Sequence, residues 1–132
     1  MSAAVAVLDE LKRELGELKD LGRIVALLAW DQQVMMPPAG AAARADQLST
    51  LGRLMHVRST SPELGKLLDA AEPVAAELDP DSDDARLVKV ARYEFEKEVK
   101  VPRDLRAAMT RSASESYPVW VKARQELSLI HI

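Results

Sequence analysis

A chain of 132 residues fits one domain, and 48% hydrophobic residues are enough for a core, though a small one with a limited stability margin. Eighteen basic and 21 acidic residues, interspersed to a net charge of −3, argue against a nucleic-acid or anionic-membrane partner, because such binding needs a basic face. The absence of cysteine excludes disulfides and thiolate metal sites, and a reducing cytoplasm is the compatible setting.

Glycine is scarce, β-branched residues are dispersed, and Ala, Leu, Glu, Lys and Arg dominate, so every element is expected to be helical. The predicted architecture is all-α, with about six helices and a buried central hairpin over about 20–58 broken by Met-Pro-Pro. A first helix is predicted from about Ser2 to Lys19, with Leu8, Leu11, Leu15 and Leu18 on one stripe and charged residues opposite. Its start lacks the basic segment and the cleavage site of a signal peptide. A second helix, about Asp20 to Val34, is apolar on every side from Ile24 to Trp30, the pattern of a helix buried all round. That run is far short of the roughly 20 residues a membrane span requires. Asp31, Gln32 and Gln33 bring polar groups to the end of this element, where they need partners. Met35-Met36-Pro37-Pro38 then stops the helix, since proline lacks the amide donor and clashes with the preceding turn.

A third helix is predicted from about Ala41 to Arg58, with Ala45, Leu48, Leu51, Leu54 and Met55 inward and Arg44, Asp46, Gln47 and Arg53 outward. Ser61-Pro62-Glu63 is a helix start with serine as N-cap, and this fourth helix is expected to reach about Ala71 before Pro73 ends it. The acidic segment Glu77 to Asp84 reads as a loop whose Ser82 or Asp83 caps the next helix; it lacks the spacing and closing glutamate of a calcium site. The fifth helix, about Asp84 to Lys100, places Leu87, Val88, Ala91, Phe95 and Val99 on one face, and Glu94, Glu96, Lys97 and Glu98 are expected on a solvated one. Pro102 opens a sixth helix running to about Gln125 with Leu105, Ala108, Met109, Trp120 and Ala123 inward, and Pro118 is expected to kink or interrupt it at Ser116 to Tyr117.

No catalytic or ligand-binding constellation is complete in this sequence. The two histidines, His56 and His131, stand alone, and His56 reads as a surface or packing residue, because one imidazole makes no metal site. Trp30 reads as core, and Asp31 as a buried hydrogen-bond acceptor rather than a general base, since no nucleophile or second base accompanies it.

Leu28-Ala29-Trp30-Asp31-Gln32, then Met36-Pro37-Pro38, then Ala43-Arg44-Ala45 with Gln47-Leu48 and Leu51, form a pattern with characteristic spacing; Pro102 with Leu105, and Trp120 with Ala123-Arg124, extend it. On these residues the chain resembles the N-terminal region of the carboxypeptidase Taq family of metallopeptidases over most of residues 5 to 125. The resemblance implies a wholly helical parent, several times longer, that releases C-terminal residues from peptide substrates with broad specificity and admits a homodimer. It also implies a divalent metal, zinc by the family's chemistry, held by two histidines of a His-Glu-x-x-His helix and a further glutamate, all beyond the end of this sequence. Histidines four apart on a helix face one metal, which polarises the scissile carbonyl while the intervening glutamate takes the proton of the bound water. No catalytic or metal residue carries over to this chain, and no cofactor is expected in it. The pattern residues Trp30, Asp31, Met36, Pro37, Pro38, Arg44, Trp120 and Arg124 are expected to be structural.

Residues 1–126 are therefore expected to form the N-terminal helical segment of a larger metallopeptidase that needs its missing catalytic part, with no nucleic-acid or membrane partner. The final residues Leu127-Ser128-Leu129-Ile130-His131-Ile132 resemble a translated sequencing adapter, so 127–132 are expected to be a non-native tail. Two alternatives remain at this level: a freestanding helical interaction module, and a fragment of a related helical oligopeptidase.

Overall fold

The computed structural model describes residues 3–127, and among these there are five α-helices, a short 3₁₀ turn and no strand. They are α1 (Ala3–Val34), the 3₁₀ turn (Pro38–Gly40), α2 (Ala41–Ser59), α3 (Pro62–Ala76), α4 (Asp83–Glu98) and α5 (Arg103–Gln125). The predicted start at Ser2 and residues 128–132 of the expected tail lie outside the described residues. None of the described helices is long and apolar enough to cross a membrane.

The first and second predicted helices are one. Residues 19–20 hold no proline or glycine, and Asp20 does not cap a new helix: its carboxylate accepts from Arg23 one turn later at 2.7 Å, which supports continuation. The resulting 32-residue α1, close to 48 Å long at ~1.5 Å per residue, is the spine of the fold. Its N-terminal half packs on α3, which carries α4; its C-terminal half turns at Pro37-Pro38 and packs on α2, which carries α5 in the most extensive helix pair.

The core lies at the first of these ends. Leu8 and Leu11 of α1 meet Leu64, Leu68 and Ala71 of α3 and Val88 of α4, with Leu15, Leu18 and Phe95 half-buried around them. The predicted leucine stripe of α1 is thus the buried one. Caps sharpen the helix starts: the Ser61 side chain accepts from the Leu64 amide at 3.1 Å and Ser82 from Ala85 at 3.3 Å. At the other end α2 and α5 approach closely at Gly52, where a Cβ would stand 2.8 Å from the Thr110 hydroxyl.

Several expectations change. The second half of α1 is not buried all round: Ile24, Leu27, Trp30 and Val34 are 47%, 62%, 55% and 57% exposed, because α2 and α5 cover only one side of it. Trp30 is therefore a surface residue, not core. Pro73 does not end α3, which continues to Ala76; the proline is exposed, and burial of Val74 and Ala75 against the core beyond it offsets the lost hydrogen bond. In α2, Leu54 is exposed whereas Arg44, expected outward, is largely buried. Glu98 leaves the solvated face of α4 to meet two neighbouring helices. Of the residues predicted inward on α5 only Ala123 is buried; Leu105, Ala108, Met109 and Trp120 are exposed, and Ser114 takes a buried place instead. The helix passes through Pro118 without interruption.

Candidate functional site

Five of the pattern residues, Asp31, Met36, Pro37, Pro38 and Arg44, meet at the corner between α1 and α2. Met35 and Met36 amides both reach the Asp31 carbonyl at 2.9 Å, closing α1, and Pro37-Pro38 redirect the chain through the 3₁₀ turn. Gly40 allows this tightness, since a Cβ there would meet the Met36 side chain at 3.1 Å. Arg44, one turn into α2, then reaches back across the corner. It donates to the Asp31 carboxylate at 2.5 Å and to the Leu28 carbonyl, while its Nε donates to Gln47 at 3.0 Å. One planar guanidinium thereby clamps the end of one helix to the start of the next, a geometry that suits arginine and not lysine.

Pro118 serves the same end of the molecule. A residue at position 118 with an amide would donate to the Ser114 carbonyl; proline cannot, and that carbonyl instead accepts from the Gln32 side chain of α1 at 3.1 Å. The Ser114 hydroxyl also lies 3.3 Å from Gln32 Oε1, so the side-chain amide is held at both of its atoms. The polar end of α1 is therefore satisfied by Arg44 and by α5.

A second polar cluster holds the midsection. His56, buried on the inward stripe of α2 with Ala45 and Leu48, places Nδ1 3.1 Å from Glu98 at the end of α4, and the other oxygen of Glu98 accepts from Arg106 of α5 at 2.6 Å. Nearby, Arg58 donates to Glu14 and Glu17 of α1 at 2.5 and 2.8 Å; these hydrogen bonds, Glu14 first, hold its guanidinium pKa above the ordinary value. Glu98 thus joins three helices, and Arg58 ties α2 to the spine.

These clusters are suited to holding helices together, and none has the parts of a reaction centre. Asp31 is neutralised by Arg44 and has no nucleophile or second base beside it. A catalytic divalent metal does not fit: among the described residues no three His, Cys, Asp or Glu side chains gather. His56 is committed to Glu98, and the Arg106 guanidinium on that carboxylate opposes a cation. Of the other pattern residues, Met36 is half-buried and Pro37 and Pro38 are exposed at the corner. Trp120 and Arg124 stand apart on the outer face of α5, the guanidinium 5.4 Å from the ring centre. The sequence reading missed the His56, Glu98 and Arg106 cluster and the Gln32 to Ser114 link. The signals were present: His56 continues the three- and four-residue spacing of Ala45, Leu48 and Gly52, and Ser114 stands four residues before a proline inside a helix.

The family described as carboxypeptidase Taq (M32) metallopeptidase matches residues 10–130. Among curated proteins, thermostable carboxypeptidase 1 of Thermus thermophilus is 38% identical over 122 residues, which is 92% of this chain but 23% of that relative. The chain thus spans under a quarter of the length of the curated relative it matches. No solved structure matches it.

Proposed function

Because the chain belongs to the carboxypeptidase Taq (M32) metallopeptidase family, we propose that it is the N-terminal helical part of a metallocarboxypeptidase and is inactive alone. The parent enzyme then releases C-terminal residues from peptide substrates with broad specificity, using a divalent metal, zinc in this reading, held by residues outside this chain. The observation that carries the proposal is 38% identity over 92% of the chain to a thermostable carboxypeptidase, of which the chain spans 23%. The role left to these helices is to support the catalytic part and wall the substrate groove. A cytoplasmic setting belongs to the same reading, supported by the cysteine-free composition. Incubating the purified 132-residue chain with a blocked dipeptide and added zinc or cobalt tests it: no release of the C-terminal amino acid above a metal-free control is expected. Metal-dependent release would overturn the assignment of catalysis to sequence outside the chain.

A further inference from the structure

The molecule exposes more surface than a self-sufficient fold of its size. Its accessible area is 8977 Å², whereas roughly 6,900 Å² is expected of a compact 14.5 kDa monomer. Leaving out what the terminal residues outside the described range contribute, the surplus is on the order of 1,000 to 2,000 Å², and one side of a stable interface takes about 800 Å². Among the described residues, nine apolar side chains are buried and fifteen large ones are exposed, so apolar side chains contribute to the surplus.

Its most coherent part is the outer face of α1. On a helix of 3.6 residues per turn, Ile24, Leu27, Trp30 and Val34 fall within about 120° of one another. Val25, Ala29 and Gln32 occupy the opposite side, toward α2 and α5. The first half of α1 shows solvent an ordinary charged face, with Glu10, Arg13, Glu17 and Lys19 exposed. From Ile24 to Ala43, by contrast, Asp31 is the sole ionisable residue, and Arg44 neutralises it. At the near end of the ridge Asp20 and Arg23 neutralise each other. An exposed apolar strip with a tryptophan and no unpaired charge has the composition of an interface centre rather than of a solvated surface.

We propose that the Ile24, Leu27, Trp30 and Val34 ridge is the seam on which the remainder of the family polypeptide docks, through the apolar face of a helix. This rests on reading the chain as part of a longer carboxypeptidase. More than three quarters of the length of the matched relative lies outside this chain, which supplies an occupant large enough for the surplus. Exposed Val90 and Tyr93 on α4, and Leu105, Met109 and Trp120 on α5, spread that surplus over three helices. That breadth suits envelopment by a larger body better than one self-complementary patch.

A chimera tests the proposal: residues 10–127 of this chain replace the matching segment of the Thermus thermophilus enzyme, with Leu27→Glu and Trp30→Glu made in the chimera and in the isolated chain. In the isolated chain both variants should melt close to the unsubstituted chain, because more than half of Leu27 and of Trp30 is already exposed. In the chimera each should lower the melting temperature by several degrees, while Arg13→Glu on the charged face should not. In the isolated chain with Trp120→Phe, where Trp30 is the sole tryptophan, its fluorescence should be open to iodide quenching. Unshifted melting of both chimera variants, an insoluble chimera, or unfolding of the isolated-chain variants would overturn the proposal. So would a dimer of the isolated chain that Leu27→Glu abolishes while the chimera is indifferent, since the ridge would then belong to a second copy. A chimera that shows the melting shifts but no zinc-dependent carboxypeptidase activity would sink the proposed function and leave the seam standing.

Discussion

Arg44 shows how much one side chain settles at the corner. Its side chain is only 13% exposed, and its guanidinium makes hydrogen bonds to Asp31, Leu28 and Gln47. Arg44→Ala should cost about 2 kcal/mol in urea denaturation, and Arg44→Lys should recover less than half, because a point ammonium cannot serve carboxylate and carbonyl together. Two glycines make the opposite point about space. A Cβ at Gly16 meets nothing within 4 Å, whereas one at Gly52 comes 2.8 Å from Thr110. Gly16→Ala should therefore stabilise α1 by about 0.5 to 1 kcal/mol through lower backbone entropy of the unfolded chain, and Gly52→Ala should destabilise by about 1 to 3 kcal/mol. Equal effects of the two substitutions on the melting temperature would contradict this account. The same residue type in a helix has opposite consequences, and only the approach of α5 distinguishes them.

Among the elements, α5 is the one whose proline-freed carbonyl is satisfied by another helix. Pro118 removes an amide that would have competed for the Ser114 carbonyl, and Gln32 of α1 uses the freed acceptor. A double-mutant cycle measures the link. Gln32→Ala should cost about 1 kcal/mol in the native background and clearly less with Pro118→Ala, where an amide regained at that position restores the helical bond. Additive effects would show the proline and the glutamine to be independent. Helix existence was legible because it is local: the Leu8 to Leu18 stripe, the Ser61 and Ser82 caps and the proline corner each act within a turn or two of chain. Pro73 misleads for the converse reason. A proline lowers helix stability locally, but Val74 and Ala75 gain burial on residues far away in sequence.

At the scale of the whole molecule, two bundles share one spine: a leucine core on the first half of α1 and a more polar assembly of α2 and α5 on the second. Glu98 and Arg58 couple them. The exposed ridge then gives the apolar run of α1 a functional meaning. An all-round apolar segment predicts burial, and the described helices cover one side only, which leaves the other for a partner. His56→Ala should destabilise α2, α4 and α5 together, by about 1 to 3 kcal/mol, since it leaves a part-buried carboxylate with one partner fewer. Hydrogen exchange at the end of α4 and the start of α5 checks it, and faster exchange confined to α2 would contradict it.

By itself the sequence determined the helical class, the caps, the corner and the family pattern, because propensity, periodicity and proline geometry are short-range. Only the tertiary structure decided which side of α1 is covered, that Arg44 turns inward, and that His56, Glu98 and Arg106 meet. Those outcomes depend on which distant helix lies alongside, and neither helical period nor residue type encodes that neighbour directly.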